Sequence, residues 1–140
     1  MNSKLIGNLT EMKCMSAFME LGHNVLIPFG DCERYDFVVH IGSQFLRIQC
    51  KTSQSDDDGL SFFFRGRSSH RVQGHCVNEK YTKEEIDYFA TIWDNHCYLI
   101  PVEDCGSCKR LRLAPSINGQ TRGVNHANDY ELECMLNKIS

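Results

Sequence analysis

The pattern of apolar and polar residues is clearest between residues 35 and 51, where two short segments flank a polar turn at residues 42–44. Both segments have the length and apolar content of strands, and the second alternates along its length. A period of two places one set of side chains in a core and the other set on the opposite face of a sheet. The first set is Leu46, Ile48 and Cys50, and the second is Arg47, Gln49 and Lys51. We therefore predict a β-hairpin over this stretch.

Helical periodicity occurs in three segments. The first covers residues 3–21 and ends at Gly22, a residue that commonly terminates helices. The second begins with a capping box at residues 82–85, after which apolar residues recur at helical spacing. These apolar residues are Ile86, Phe89, Ala90 and Trp93. The third segment covers residues 127–138.

Four further segments are predicted to be strands, at residues 25–28, 60–65, 96–102 and 109–113. The segment at 60–65 is expected to be the third strand of the sheet, and the one at 109–113 to have a basic outer face. The acidic run Asp56-Asp57-Asp58 before Gly59 is typical of an exposed turn, and residues 118–120 of a polar loop. The predicted order αβββαβ belongs to the α/β class, with a mixed central sheet flanked by helices.

Composition limits the class of protein. A chain of 140 residues with 41% apolar residues suits one globular domain, residues 1–140. No apolar run approaches the roughly 20 residues that a membrane span needs, and the polar N-terminus does not resemble a signal peptide. We therefore expect an intracellular, cytoplasmic protein without a membrane partner.

The eight cysteines fit that expectation, because most stand singly in apolar segments, as free, reduced and buried thiols do. Only Cys105 and Cys108 have a C-x-x-C spacing. This pair could form a zinc site, with His96 and Cys97 as further ligands, or could simply flank a Gly-Ser turn.

Four polar residues interrupt apolar patterns and carry the candidate chemistry. Glu11 shares a helix face with Met15 and Phe18, which places a carboxylate at the edge of the core unless it is paired or bound to metal. The other three are Asp36, Gln49 and Lys51. Asp36 begins the first strand of the hairpin, and Gln49 and Lys51 lie two residues apart on the second.

These residue types suit a divalent cation beside a phosphodiester. Asp36 is a hard ligand for Mg²⁺, the side-chain carbonyl of Gln49 and the backbone carbonyl of Cys50 are neutral ones, and Glu11 could bind directly or through water. The metal would activate water and neutralise charge on the scissile phosphate. Lys51 could orient the attacking water or stabilise the phosphoryl oxygens. Mn²⁺ is expected to substitute for Mg²⁺.

The stretch from residue 65 to residue 75 is the most basic in the chain, and its glycines and serines predict a mobile loop. Arginines among small polar residues suit phosphate and base-edge contacts, although a solvated loop would have the same composition. The net charge of -3 argues against a generally basic surface but permits a local strip. The residues expected to contact DNA are Arg65, Arg67, His70, Arg71 and Lys80.

The motifs together resemble the PD-(D/E)XK nuclease superfamily, and within it the small intron-encoded homing endonucleases and their free-standing relatives. The resemblance covers nearly the whole chain and rests on the order and spacing of short motifs. They are Gly7 with Glu11, residues 28–30, 35–39, 47–51, 81–90, 98–101, 118–120 and 127–130.

The resemblance implies a restriction-endonuclease-like three-layer fold and metal-dependent cleavage of double-stranded DNA. Tyr35 stands where the superfamily has proline, which should matter little. Gln49 stands where an acid is usual, so the metal should bind more weakly and Glu11 should matter more. Members of the resembled subgroup also have glutamine there, in a QxK form of the motif.

Four functions are compatible with these observations, and one of them is a zinc-stabilised adaptor built on Cys105 and Cys108. The other three involve the nuclease fold. The first is a Mg²⁺-dependent DNA endonuclease that works as a homodimer or homotetramer, because a duplex has two strands and each chain has one site. The second is a resolvase that acts on branched DNA of the Holliday-junction type. The third is a non-catalytic module that keeps the nuclease fold and binds nucleic acid or protein.

Overall fold

The computed structural model describes residues 1–114 and 124–139, in which two α-helices and ten strands are present. The helices are α1 (Ser3–Glu20) and α2 (Leu132–Ile139), and short 3₁₀ turns lie at Val102–Asp104 and Ala127–Tyr130. The strands are β1 (Asn24–Leu26), β2 (Phe37–Ile41), β3 (Gln44–Cys50), β4 (Gln54–Ser55), β5 (Ser61–Arg65), β6 (Arg67–Val72), β7 (His75–Lys80), β8 (Tyr88–Trp93), β9 (His96–Pro101) and β10 (Cys108–Arg112).

The central sheet has five strands in the order β1-β2-β3-β8-β9. Strands β3 and β8 are parallel, and the other neighbours are antiparallel. The predicted hairpin is confirmed: β2 and β3 pair from Phe37 with Ile48 to Ile41 with Gln44. Its two-residue turn begins at Gly42, whose φ of 60° is readily available to glycine.

Each face of the central sheet is covered by a different layer. Both helices pack on one face, where Cys14 and Phe18 of α1 and Met135 of α2 share a core with buried residues of the sheet. The other face packs against a three-stranded sheet in the order β10-β5-β4, which contributes Phe62 and Leu111. The predicted α/β class, mixed sheet and three layers are therefore confirmed, although helices flank only one face.

One strand lies in a different layer from its predicted place. Residues 60–65 do form a strand, but β5 belongs to the second sheet and pairs with β4 and β10. The strand next to β3 in the central sheet is instead β8, which pairs with β3 from Ile48 with Tyr88 to Cys50 with Ala90. Asp56 lies in the turn before β5, as predicted for the acidic run, and forms an ion pair with Arg110.

The predicted helix after Thr82 is wrong. The capping box closes a single turn, in which the Thr82 backbone N–H donates to Glu85, and the chain then extends as β8. Phe89, Ala90 and Thr91 are all buried, because β8 is covered on both faces. A strand covered on both faces shows a continuous apolar run instead of an alternation, and such a run resembles a buried helix.

The predicted mobile loop at residues 65–75 is also wrong. Residues 67–80 form a two-stranded antiparallel ribbon, β6 with β7, which belongs to neither of the larger sheets. Gln73 and Gly74 both have positive φ, the conformation of a tight two-residue hairpin turn. We refer to Arg67–Val72 with His75–Lys80 as the ribbon.

The C-terminal elements are close to prediction. Strand β9 occurs where expected, and β10 confirms the strand predicted at residues 109–113. The helix predicted at residues 127–138 begins later, since Ala127–Tyr130 form a 3₁₀ turn and α2 covers Leu132–Ile139. Lys109, however, faces the core beside Leu111 and not the basic outer face, and its ammonium donates to the Asp104 carbonyl at 3.0 Å. The predicted loop at residues 118–120 lies outside the described residues. Neither helix in the described ranges is long and apolar enough to cross a membrane.

Candidate active site

A cavity of about 330 Å³ lies between α1 and the ends of β2 and β3. Glu11 enters it from the helix, while Asp36, Gln49 and Cys50 enter it from the hairpin. The remaining lining residues are Lys4, Gly7, Asn8, Thr10 and Thr52. The folded chain therefore brings three of the four predicted catalytic side chains to one cavity.

Asp36 is held in this cavity by the backbone of β3. Its own N–H donates to the carbonyl of Ile48 at 2.7 Å, and its Oδ2 accepts from the N–H of Cys50 at 2.8 Å. These two bonds continue the β2–β3 pairing to the residue just before β2. The carboxylate is thus fixed against the strand that supplies Gln49.

The two carboxylates in the cavity lack full compensation of their charge. Burial raises the pKa of Asp36, and the Cys50 hydrogen bond and the charge of Lys51 offset this only in part. Burial also raises the pKa of Glu11, and the charge of Asp36 raises it further. Acids near each other with raised pKa values favour a bound cation or proton.

The oxygen donors in this cavity fit a hard divalent cation. Glu11 and Asp36 offer two carboxylates, and Gln49 and the backbone carbonyl of Cys50 offer neutral oxygens of the kind that Mg²⁺ accepts. Gln49 Nε2 lies 3.4 Å from the Cys50 carbonyl. Within the described ranges, no group of three or more His, Cys, Asp or Glu side chains is arranged to hold a metal. With only two acids, any cation here would depend on the neutral oxygens as well.

Lys51 does not line this cavity. Its ammonium donates to the backbone carbonyl of Arg67 at 3.1 Å and to the hydroxyl of Tyr81 at 3.3 Å. It also lies 4.8 Å from the centre of the Tyr81 ring. Its charge still lowers the pKa of Asp36, so the ammonium acts on the cavity from its margin.

The predicted DNA-contacting residues lie on or beside the ribbon. Arg65 ends β5, and the other four belong to the ribbon. His70 lies 3.6 Å from Glu79 across the ribbon, so it faces an acid. Arg67, at the base of the ribbon, has a buried Nε without a hydrogen-bond partner in the part of the chain that the structure describes. Its backbone carbonyl accepts from the Lys51 ammonium, so the base of the ribbon contacts that lysine.

The sequence reasoning missed two residues at the base of the ribbon, Arg34 and Tyr81. The guanidinium carbon of Arg34 lies 3.8 Å from the centre of the Tyr81 ring. The signal that could have found Tyr81 is the Gln73-Gly74 pair, which resembles a tight hairpin turn and would have placed Tyr81 at the end of a strand. No local pattern indicates Arg34, whose partners are 34 to 51 residues away in the chain.

The structure does not assemble the proposed zinc ligands. Cys97 is buried on the helix-covered face, whereas Cys105 packs with the core on the other face. His96 is exposed and lies 3.5 Å from Glu131. No disulfide joins any of the eight cysteines in the structure. Burial raises the pKa of Cys105 to about 11, which disfavours the thiolate that binds zinc.

Comparison with known proteins addresses the fold and the family. A family model described as PD-(D/E)XK endonuclease matches residues 1–133. The solved structure of a bacterial homing endonuclease, I-Ssp6803I, matches with a TM-score of 0.79 at 19% sequence identity, over 100% of this chain and 98% of that chain. At this identity the likeness concerns the fold, and it confirms the predicted restriction-endonuclease-like architecture. A search of curated proteins finds no match.

Proposed function

This chain belongs to the PD-(D/E)XK endonuclease family, and from that premise we propose that it is a divalent-metal-dependent DNA endonuclease of the homing-endonuclease type. The observation that carries the proposal is the cavity shared by Glu11, Asp36 and Gln49. Family membership supports endonuclease activity, and the cavity supplies the polar residues such chemistry needs. The identity of the metal, the form of the DNA substrate and the oligomeric state of the protein are also proposed.

The oxygen donors of the cavity support Mg²⁺, with Mn²⁺ as a substitute. Asp36, Glu11, Gln49 and the Cys50 carbonyl would hold the cation. When bound, the cation supplies charge neutralisation at the phosphate and a lower pKa for water. The raised pKa values of the two acids support this assignment, because a cation would compensate for the burial that raises both and for the charge of Asp36 that also raises the pKa of Glu11.

Lys51 would act on the phosphodiester from the margin of the cavity, and Arg67 would bind DNA at the base of the ribbon. Lys51 is close enough to Asp36 to lower its pKa, so an ammonium there can stabilise negative charge on a phosphate held beside that carboxylate. Arg67, whose carbonyl accepts from the Lys51 ammonium at 3.1 Å, would contact the duplex as part of the ribbon. Neither residue forms a covalent intermediate in this proposal.

The ribbon is the proposed contact with double-stranded DNA. A two-stranded ribbon fits the major groove, and Arg71 and Lys80 are exposed on it. Arg65 is exposed next to its base. This local basic strip would bind the duplex despite the net charge of -3. His70, which faces Glu79, is expected to contribute less.

We further propose that the protein acts as a homodimer, since each chain has one site and a duplex has two strands. Helix α1 supports self-association, because its outward stripe of Leu5, Leu9, Met12 and Met19 is exposed opposite the core face. A homotetramer would require a second interface. The intracellular location stays a prediction.

The proposal is tested by incubating plasmid and linear duplex DNA with the protein in Mg²⁺, in Mn²⁺ and in EDTA. We expect cleavage with either metal and none in EDTA. Asp36→Ala and Lys51→Ala should each reduce the single-turnover rate by about 100-fold or more, because each removes charge stabilisation at the reacting phosphate. The matched controls Asp57→Ala and Lys138→Ala change exposed residues outside the cavity and should cleave at the wild-type rate.

Two outcomes would redirect the assignment. Cleavage of four-way junctions with no cleavage of linear duplex would favour the resolvase. DNA binding that is unaffected by metal, with no hydrolysis of any substrate, would favour the non-catalytic module. Equal cutting by wild-type protein, Asp36→Ala and Lys51→Ala would remove these residues from the reaction.

A further inference from the structure

The ammonium of Lys51 is held by groups that belong to the base of the ribbon. Its two hydrogen-bond acceptors are the Arg67 carbonyl, at the first residue of β6, and the Tyr81 hydroxyl, at the residue just after β7. The start of β6 and the residue after β7, which together form the base of the ribbon, therefore contact the same lysine. A change in the position of the ribbon would change the surroundings of that ammonium directly.

Tyr81 occupies the centre of this arrangement. Arg34 and Lys51 both contact its ring, with the guanidinium carbon 3.8 Å and the ammonium 4.8 Å from the ring centre. The ring also packs edge-on against Phe89 of β8, with 5.4 Å between ring centres. Cations over an aromatic face are attracted by its quadrupole. The ring thus joins the ribbon to the central sheet through both polar and apolar contacts.

Two further contacts hold the base of the ribbon against the body of the protein. Arg34 donates to Ser68 Oγ at 2.7 Å and to the Lys80 carbonyl at 2.6 Å, so one side chain binds both strands. Gly66 leaves no room for a side chain, since a Cβ there would lie 2.6 Å from Cys105 Sγ and from the Gly106 carbonyl. The base is anchored, while the residues around the turn at Gln73-Gly74 are exposed.

We propose that Tyr81 is a positioning residue that couples the DNA-contacting ribbon to Lys51. The inference rests on the proposed nuclease function and adds a link between substrate binding and the reacting site. DNA bound along the ribbon sets the position of β6 and β7, and the Tyr81 hydroxyl and the Arg67 carbonyl transmit that position to the ammonium. Binding of DNA to the ribbon thereby fixes the ammonium in the position beside Asp36 that the reaction requires.

Tyr81→Phe separates this role from simple folding, because it keeps the ring and its contacts with Arg34 and Phe89 but removes the acceptor for Lys51. We expect its single-turnover cleavage rate to fall by about 10- to 100-fold. DNA affinity measured in EDTA should stay within about twofold of wild type, since the ribbon's cations are unchanged. Tyr88→Phe, which removes a hydroxyl on the neighbouring strand β8, is the matched control and should keep the wild-type rate.

A second measurement does not depend on cleavage. In protein labelled with [ε-¹³C]lysine, the Lys51 signal, assigned with Lys51→Arg, should be displaced by the nearby ring and should lose that displacement in Tyr81→Leu. Adding duplex DNA in EDTA should shift the Lys51 signal in wild-type protein and shift it much less in Tyr81→Leu, which keeps only the Arg67 carbonyl as an acceptor. An equal shift in both proteins would overturn the coupling. This measurement decides the coupling even for a protein that cuts nothing, an outcome that would overturn the nuclease proposal alone.

Three further results would overturn the coupling. The first is Tyr81→Phe cleaving at the wild-type rate. The second is a loss of rate matched by an equal loss of DNA affinity, which would indicate a structural role for the hydroxyl. The third is a wild-type Lys51 signal that does not respond to DNA.

Discussion

At the scale of single residues, Asp36 occupies a position that suits the proposed chemistry but lowers the stability of the folded protein. Its carboxylate is half-buried beside Glu11, and burial raises the pKa of both acids. An ionised acid with a raised pKa destabilises the folded protein, because it would be better solvated in the unfolded chain. A position that costs stability yet lies in a shared cavity is expected where function requires it.

Asp36→Asn should therefore raise the melting temperature at neutral pH by a few degrees. The sign follows from linkage. The folded state holds the Asp36 proton more tightly than the unfolded state, so the wild type loses stability as pH rises from the unfolded pKa of Asp36 to its folded pKa. The gain in melting temperature from Asp36→Asn should be complete above the folded pKa of Asp36 and should vanish below about pH 4. Melting curves from pH 4 to pH 8 measure it, with Asp57→Asn as a control that should show no gain.

The same variant tests the metal site without any assay of cleavage. Adding Mg²⁺ should raise the melting temperature of the wild type, because a ligand that binds the folded state stabilises it. The rise should be lost in Asp36→Asn. An equal rise in both proteins would contradict the assignment of Asp36 as a metal ligand.

At the scale of elements, the turn before β8 is what aligns the two parallel strands of the central sheet. Asp87 accepts hydrogen bonds from the backbone N–H of Arg47 at 2.8 Å and from its guanidinium at 3.0 and 3.1 Å. Arg47 also donates to the carbonyls of Lys83 and Glu84, at 2.6 Å each. Burial alone would raise the pKa of Asp87, but the hydrogen bonds from Arg47 outweigh it and lower that pKa.

Asp87→Asn should destabilise the protein by about 1–2 kcal/mol at pH 7, a range kept small because both side chains remain about one-third exposed. A lowered pKa means that the contribution is present above the unfolded pKa and is lost as pH falls through the folded pKa. The difference from wild type in urea-unfolding free energy should therefore shrink below about pH 4. Asp31→Asn, at an exposed loop residue, should leave the unfolding free energy unchanged; a similar loss there would attribute the effect to net charge.

At the scale of the whole molecule, α1 presents two different faces. Thr10, Cys14 and Phe18 are buried against the sheet, whereas the opposite stripe is exposed. That stripe borders an open groove of about 490 Å³ lined by Met12, Met15, Ser16, Met19 and Glu20. An apolar stripe of this length is unusual on an isolated surface helix and is typical of an interface.

Met12→Glu should convert the proposed dimer to a monomer, because it places a charge in the centre of the apolar stripe. Sedimentation velocity measures the change, and Leu113→Glu is the matched control, since Leu113 is exposed at 43% but lies outside α1. Melting curves for both variants check that the fold is retained. A wild-type monomer at all concentrations would contradict the dimer, and a tetramer that Met12→Glu reduces to dimers would assign α1 to one of two interfaces.

The sequence alone was sufficient for elements whose pattern is complete within a few residues. Helix α1, the β2–β3 hairpin, β9 and α2 each carry a local period or a turn residue that defines them, and the α/β class followed from their order. Grouping Glu11 with Asp36 and Gln49 also succeeded, because polar residues that interrupt apolar patterns mark places where the core meets an opening. Their chemical roles remain predictions.

Only the tertiary structure decided β8, the ribbon and the surroundings of Lys51. Strand β8 is buried on both faces and so lacks an alternation, although Asp94-Asn95, both with positive φ, mark the tight turn that joins it to β9. The ribbon is polar on both sides, so no apolar period distinguishes it from a loop. Lys51 contacts Arg67 and Tyr81, residues 16 and 30 positions away, and such contacts depend on how the chain packs rather than on any local pattern.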